Sequence, residues 1–128
     1  MNSMHKHNES QEDYLEAILR ILQDKGYCRS IDVAEHLSVA KPSVSVAVAK
    51  LRSSGLVEMD SAKMILLTEE GKRLAENTYA KHRFFKDWLV SLGVSEERAE
   101  DEACSIEHDI SEDTFGKIVD FLSSSLQA

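Results

Sequence analysis

The sequence predicts a mainly α fold, an N-terminal winged helix-turn-helix followed by a helical dimerisation and metal-binding domain. Three observations lead there. One proline and five glycines stand in 128 residues otherwise rich in Ala, Glu, Leu and Ser, a composition that favours helices. Between residues 30 and 54 two short helical segments are joined by a tight turn, and two short apolar runs around a polar turn follow them. In the last third, Cys104, Glu107 and His108 carry a thiol, a carboxylate and an imidazole at offsets 0, 3 and 4, which puts three metal-ligating groups on one helix face. The expected division is a DNA-binding domain over residues 1–70 and a helical linker and dimerisation domain over residues 71–128.

The formal net charge of −8 speaks against a surface coated for nucleic acid, but only the local field of a docking face matters. Along the chain, residues 1–40 hold four Lys/Arg against seven Asp/Glu, residues 41–63 four against two, and residues 64–128 seven against fourteen. The basic window therefore coincides with the second short helix and the hairpin. Two cysteines, Cys28 and Cys104, give no disulfide framework and fit a reducing compartment. No signal peptide is visible and no apolar run approaches membrane-spanning length, so a cytoplasmic protein without membrane association is expected. Glycine-rich cofactor loops and the phosphate-binding Gly-Lys-Ser/Thr pattern are absent, which leaves no organic cofactor to expect.

Residues 1–9 are polar and read as a loose tail, with His5 and His7 as incidental metal binders at most. From Ser10, acting as a cap, Tyr14, Leu15, Ile18, Leu19 and Leu22 recur at helical spacing until Gly26. Asp13 and Glu16 share a face of this helix with Arg20, either as a solvated face with a Glu16–Arg20 pair or as further ligands for the distant cluster. Ser30 is expected to cap a short helix to Leu37, and a second begins near Pro42, which a first turn tolerates, and ends before Gly55. In that second helix Val44, Val46, Val48 and Leu51 cannot all be buried. Lys41, Pro42, Ser43, Ser45, Val46, Lys50 and Arg52 offer cations, hydroxyls and an apolar contact for thymine methyl groups in a major groove. Runs 56–59 and 64–67 predict a hairpin with Lys63 at its tip as a phosphate contact, an assignment that the neighbouring Asp60 weakens.

Thr68 opens a long helix to about Leu92 whose Leu74, Tyr79, Phe84, Phe85, Trp88 and Leu89 make a broad apolar side that calls for a second subunit. His82 lies in it, and a lone histidine on a long helix is more often packed or exposed than a ligand. Ser95 caps a helix to about Ile110 that carries the Cys104, Glu107, His108 cluster. A last helix starts at Ser111 and runs through Phe115, Ile118, Val119, Phe121, Leu122 and Leu126.

Five motifs in order across most of the chain resemble the metal-dependent DtxR/MntR repressors of bacteria, in particular the short manganese-type members without an SH3-like domain. They are Glu12-Asp13-Tyr14-Leu15-Glu16, Asp32-Val33-Ala34 with Pro42-Ser43-Val44, Leu67-Thr68-Glu69-Glu70-Gly71, Lys81-His82-Arg83, and Glu107-His108 after Cys104. The resemblance implies a homodimeric winged-helix repressor that binds double-stranded operator DNA when loaded with divalent metal. It also implies a ligand set of Asp13, Glu16, His82, Glu107 and His108, with Cys104 standing where manganese-type members carry a third carboxylate. Iron-type members have cysteine there but methionine at the position of Asp13, and the positions of their ancillary ligands are Lys86 and Glu100 here. The nitrogen and oxygen donors suit Mn²⁺ first and Fe²⁺ closely after, while a thiolate adds Co²⁺ and Zn²⁺ as candidates.

Rival readings are a metal-independent winged-helix regulator and a small metalloenzyme with an open coordination position. A Cys104–His108 nucleophilic pair is weaker, because it also needs exposure and an orienting third group. A purely structural reading buries Cys104 and leaves the acids solvated.

Overall fold

The structure, a computed structural model, describes the backbone of residues 2–127 and the side chains of residues 11–124. The side chains of His5, His7 and Leu126 lie outside the described residues. Six helices and one hairpin follow one another: α1 (Asn2–Lys25), α2 (Ser30–Leu37), α3 (Lys41–Ser53), β1 (Val57–Met59), β2 (Ile65–Leu67), α4 (Glu69–Ser91), α5 (Glu96–Asp109) and α6 (Glu112–Gln127). The chain forms two compact units, Met1–Thr78 and Tyr79–Ala128.

In the first unit α1, α2 and α3 pack on one another, with β2 against α1 and β1 against α3. Leu15 and Ile18 of α1, Val33 of α2, Val44, Val48 and Leu51 of α3, and Ile65 of β2 are buried as its core. Helix α1 starts at Asn2 rather than at Ser10: residues 2–9 contain neither proline nor glycine, so nothing in them stops the helix from extending. Helix α2 is capped differently from the expectation, with Arg29 at the N-cap and Ser30 as the first helical residue. The reason is Asp32, whose buried carboxylate accepts the Arg29 backbone N–H at 3.0 Å, the Arg29 Nε–H at 3.0 Å and the Lys25 ammonium at 2.8 Å. A carboxylate held by a helix-start N–H and two cations is a stronger cap than a neutral serine hydroxyl. Helix α3 starts with Lys41 and Pro42 in its first turn, as proline's missing N–H permits.

The hairpin is antiparallel, pairing Val57 with Leu67, Glu58 with Leu66 and Met59 with Ile65. The Ile65 N–H also donates to the Cys28 carbonyl at 2.8 Å, which ties β2 to the α1–α2 connection. Asp60 organises the turn: its Oδ1 accepts the backbone N–H groups of Ala62 and Met64, each at 2.9 Å. Its charge is thus spent on the turn's own donors and does not cancel Lys63 outright. Lys63 sits in the left-handed region with φ of 62°.

Where the hairpin meets α4, Thr68 donates its hydroxyl to the Gly55 carbonyl at 2.7 Å and accepts the Gly71 N–H at 3.1 Å, forming the helix cap. Gly71 lies so close to the Leu56 backbone that a Cβ there would run into the Leu56 carbonyl oxygen. The Leu-Thr-Glu-Glu-Gly motif therefore encodes a strand end, a cap and a close approach in five residues.

The second unit begins within α4. Phe84, Phe85 and Phe115 pack edge-on or tilted with centroids 5.3 to 5.8 Å apart, joining α4 to α6. Ser95 caps α5 by accepting the Arg98 N–H at 3.3 Å, and the Ser111 hydroxyl accepts the Thr114 N–H at the start of α6. Along α5 the buried residues are Ala99, Ala103 and Glu107, one every four positions. The buried Lys81 reaches from α4 to donate to the Ile110 carbonyl at 3.2 Å, placing a cation at the negative end of α5.

Three outcomes follow from these surroundings. Gly71→Ala should lower the unfolding free energy by about 3 kcal/mol in chemical denaturation, because backbone cannot yield as a side chain would. Gly116→Ala on α6, where a Cβ meets nothing within 4 Å, should be neutral or gain up to about 1 kcal/mol. The Asp32 carboxyl is held far below the usual carboxylate range, first by its hydrogen bonds from Arg29 and then from Lys25. Its folded pKa is below its unfolded one, so its stabilisation is complete above a pH of about 4 and is lost as the pH falls through the folded value. Asp32→Asn should therefore cost about 2 kcal/mol at pH 7, and the gap from wild type should narrow in urea melts below a pH of about 4.

Candidate metal centre and nucleic-acid face

The offsets 0, 3 and 4 do what a helix dictates. Cys104, Glu107 and His108 of α5 each offer a donor atom within 4.8 Å of the others'. Glu107 is fully buried, Cys104 is half-buried, and the His108 side chain is almost completely enclosed. His82, buried on α4, turns its Nδ1 to Glu107 Oε2 at 3.2 Å, while His108 Nε2 lies 3.7 Å from Glu107 Oε1. A carboxylate removed from water is thus faced by two imidazoles, one from each of two helices. The purely structural reading fails here, because the central acid is not solvated.

The donor set fits a divalent ion. It supplies one thiol, one carboxylate and two imidazoles in a site where water is largely excluded, a mixture of hard and borderline ligands. A buried anionic carboxylate is costly unless positive charge stands beside it, and a divalent cation would provide it. His82 therefore belongs with the α5 residues in space, although a lone histidine gave no such signal in sequence. Asp13 and Glu16 lie on α1 in the first unit, Asp13 half-buried and Glu16 buried. Glu16 also pairs with Arg20 at 3.8 Å, the i,i+4 contact that its spacing predicts.

Two further residues join the α4–α5 part of the site. Glu100 Oε2 lies 2.8 Å from His82 Nε2, and its Oε1 lies 3.1 Å from Lys86 Nζ. Sequence reading noted them only as departures from a pattern. Lys86 is one turn from His82 on the same helix and was legible as a neighbour, whereas Glu100 enters through the packing of α5 on α4.

The proposed nucleic-acid residues form an exposed face of α3. Lys41, Pro42, Ser43, Ser45, Val46, Lys50 and Arg52 are all exposed, while Val44, Val48 and Leu51 are buried beneath them. Val46 is 56% exposed, an apolar side chain presented to solvent amid hydroxyls and cations. Tyr14, Pro42, Ser43, Val46, Ala47 and Lys50 line a shallow groove on this face. Burial pushes the Tyr14 phenol up from its ordinary pKa, so it stays neutral. Lys63 is exposed at the hairpin turn.

Residues 6–65 match the family described as iron dependent repressor, N-terminal DNA binding domain, and residues 68–125 match iron dependent repressor, metal binding and dimerisation domain. HTH-type transcriptional regulator MntR of Bacillus pumilus (strain SAFR-032) is 34% identical over 119 residues, covering 91% of this chain and 83% of its own length. The chain belongs to the iron-dependent repressor (DtxR/MntR) family. Transcriptional regulator MntR of Escherichia coli O6:H1 (strain CFT073) is 36% identical over 103 residues, covering 80% of this chain and 66% of that protein. Among solved structures, the manganese regulator SloR superposes with a TM-score of 0.78 at 32% identity, over 88% of this chain and 53% of its own. A manganese-dependent transcriptional repressor in complex with manganese gives 0.77 at 29% identity, over 88% and 52%. The chain thus spans about two thirds of the E. coli relative and about half of these solved chains. These two relatives are described as transcriptional regulators. No described helix of this family member is long and apolar enough to cross a membrane.

The two cysteines of this repressor-family chain differ in kind. Cys28 is fully buried, and desolvation pushes its thiol up to about 12. In the folded protein iodoacetamide at pH 8 should label Cys104 and spare Cys28, with equal labelling of both only after denaturation, as read by peptide mass spectrometry.

Proposed function

We propose that the chain is a divalent-metal-activated, sequence-specific DNA-binding repressor that controls metal homeostasis, working as a cytoplasmic homodimer on double-stranded operator DNA. The observation that carries this is the buried Glu107 between His82 and His108, beside Cys104, in the part of the chain that matches a metal-binding and dimerisation domain. A metal-independent regulator would have no use for so costly an arrangement. We assign the ligands as Asp13, Glu16, His82, Cys104, Glu107 and His108, with Mn²⁺ preferred, Fe²⁺ close behind, and Co²⁺ or Zn²⁺ also accepted. The carboxylate and imidazole majority supports manganese, as do relatives whose structures are described as a manganese regulator and as a repressor in complex with manganese. Another relative, ScaR, is described with bound Zn²⁺ and with bound Cd²⁺, in keeping with tolerance of softer ions.

When bound, the ion supplies the positive charge that lets several carboxylates share one site. The protein's own residues do the rest. Asp13, Glu16 and Glu107 repel one another when all are ionised, and that repulsion opposes gathering them around one centre. Relieving it favours the arrangement in which the two recognition helices of a dimer match the half-site spacing, a coupling between metal and DNA binding. We place the functional boundary between residues 70 and 71, within the first turn of α4. Ser43, Ser45 and Val46 meet base edges, and Lys41, Pro42, Lys50, Arg52 and Lys63 position the backbone. The second copy docks on the apolar groove of α4 and α6 lined by Trp88, Ile118, Phe121 and Leu122, where Phe121 is 70% exposed.

Gel shifts on a cognate operator test the reading. Wild type should bind tightly with Mn²⁺ and weakly in chelator, and His108→Ala should lose the metal response while keeping its fold. Lys50→Ala should weaken binding in Mn²⁺ and reduce the salt slope by about one. Equal binding by wild type with metal and in chelator would overturn the reading.

A further inference from the structure

Both ring nitrogens of His82 face carboxylates. Nε2 lies 2.8 Å from Glu100 Oε2, and Nδ1 lies 3.2 Å from Glu107 Oε2. Glu100 gives its other oxygen to Lys86, with Nζ to Oε1 at 3.1 Å. A relay thus runs Lys86, Glu100, His82, Glu107, alternating between α4 and α5. Burial divides it in two. His82 and Glu107 are enclosed, whereas the Glu100 and Lys86 side chains are 41% and 33% exposed.

The direction of the relay follows from proton placement. The nearer carboxylate oxygen faces Nε2, so a neutral His82 carries its proton on that nitrogen and keeps its lone pair on Nδ1. That lone pair points at Glu107, so two electron donors stand 3.2 Å apart around a space that favours a positive charge. A ligating histidine whose other nitrogen donates to a carboxylate is oriented, fixed in one tautomer and made more basic by it. Glu100 is poorly suited to ligate metal itself, because one oxygen faces the imidazole and the other is paired with an ammonium.

We propose that Glu100 and Lys86 are positioning residues of the metal centre. Glu100 fixes the His82 ring with Nδ1 as the ligating nitrogen. Lys86 holds Glu100 to that role and keeps its carboxylate out of the ligand set. The inference rests on His82 being a ligand, and it assigns work to two side chains that the ligand set omits.

The test uses the full chain, titrated anaerobically with Mn²⁺ alone and with Co²⁺ alone. Affinity is followed by competition with a chromophoric chelator and the cobalt site by its visible absorption. Glu100→Ala should weaken both metals roughly 10- to 100-fold and shift the cobalt absorption, with metal-free thermal stability unchanged. Lys86→Met should move affinity and spectrum in the same direction by less, and Lys86→Arg should restore both. A merely structural ion pair would leave the spectrum in place and alter only melting. If wild type binds and His82→Ala abolishes binding, yet Glu100→Ala and Lys86→Met match wild type in affinity and spectrum, this proposal falls while the metal reading stands. If wild type and His82→Ala take up metal equally, or neither takes it up, the ligand role of His82 fails and this proposal fails with it.

Discussion

A carboxylate without solvent needs positive charge beside it, and Glu107 imposes that requirement on the second unit. It occupies the third place in a stripe whose first two members are Ala99 and Ala103. The alanines give α5 a face without bulk, and a leucine at the third place would complete an ordinary helix-packing surface. The chain instead spends that position on an ionisable group and surrounds it with His82 and His108. Lys81 works at the same end of α5, placing a cation at its carbonyl end just past the cluster. The second unit is therefore organised around charge as much as around its aromatic packing of Phe84, Phe85 and Phe115.

The first unit is organised by backbone approach. The Leu56 carbonyl against Gly71 and the Thr68 hydroxyl on the Gly55 carbonyl join the hairpin to the first turn of α4. Asp32 does the same for the helix-turn-helix, drawing Lys25, Arg29 and the start of α2 together. These junctions hold α3 with Val44, Val48 and Leu51 inward, which leaves the cations and hydroxyls of the same helix facing solvent.

Much of this was legible from residues alone. Gly26 marked the end of α1, Pro42 and Gly55 the bounds of α3 and Gly93 the end of α4, two apolar runs around a polar turn marked the hairpin, and offsets of three and four marked Cys104, Glu107 and His108 as one face. The start of α1 was misplaced because a polar segment without breakers looks like a tail although its backbone can remain helical. Ser30 yielded the cap to Arg29 because a buried carboxylate two residues later outcompetes a hydroxyl, and burial cannot be seen in a single sequence. Asp60 looked like a charge opposing Lys63, whereas its oxygen is engaged by backbone N–H groups of the turn. His82 entered the site only through family resemblance, and Glu100 only through the packing of α4 and α5. Contacts between helices carry no sequence period, so such residues surface last.

Lys63 carries a cost that its neighbours do not. A side chain at φ of 62° gives up about 1 kcal/mol or more relative to glycine, and the turn around it is already secured by Asp60. Nothing in the folding of the hairpin asks for a lysine there. If Lys63 contacts phosphate as proposed, then in the language of protein engineering this position lies on a trade-off front between durability and recognition, where selection for heat resistance alone would discard the cation. On that reading, a tip that keeps its charge in a strained conformation makes the wing a working surface rather than a connector.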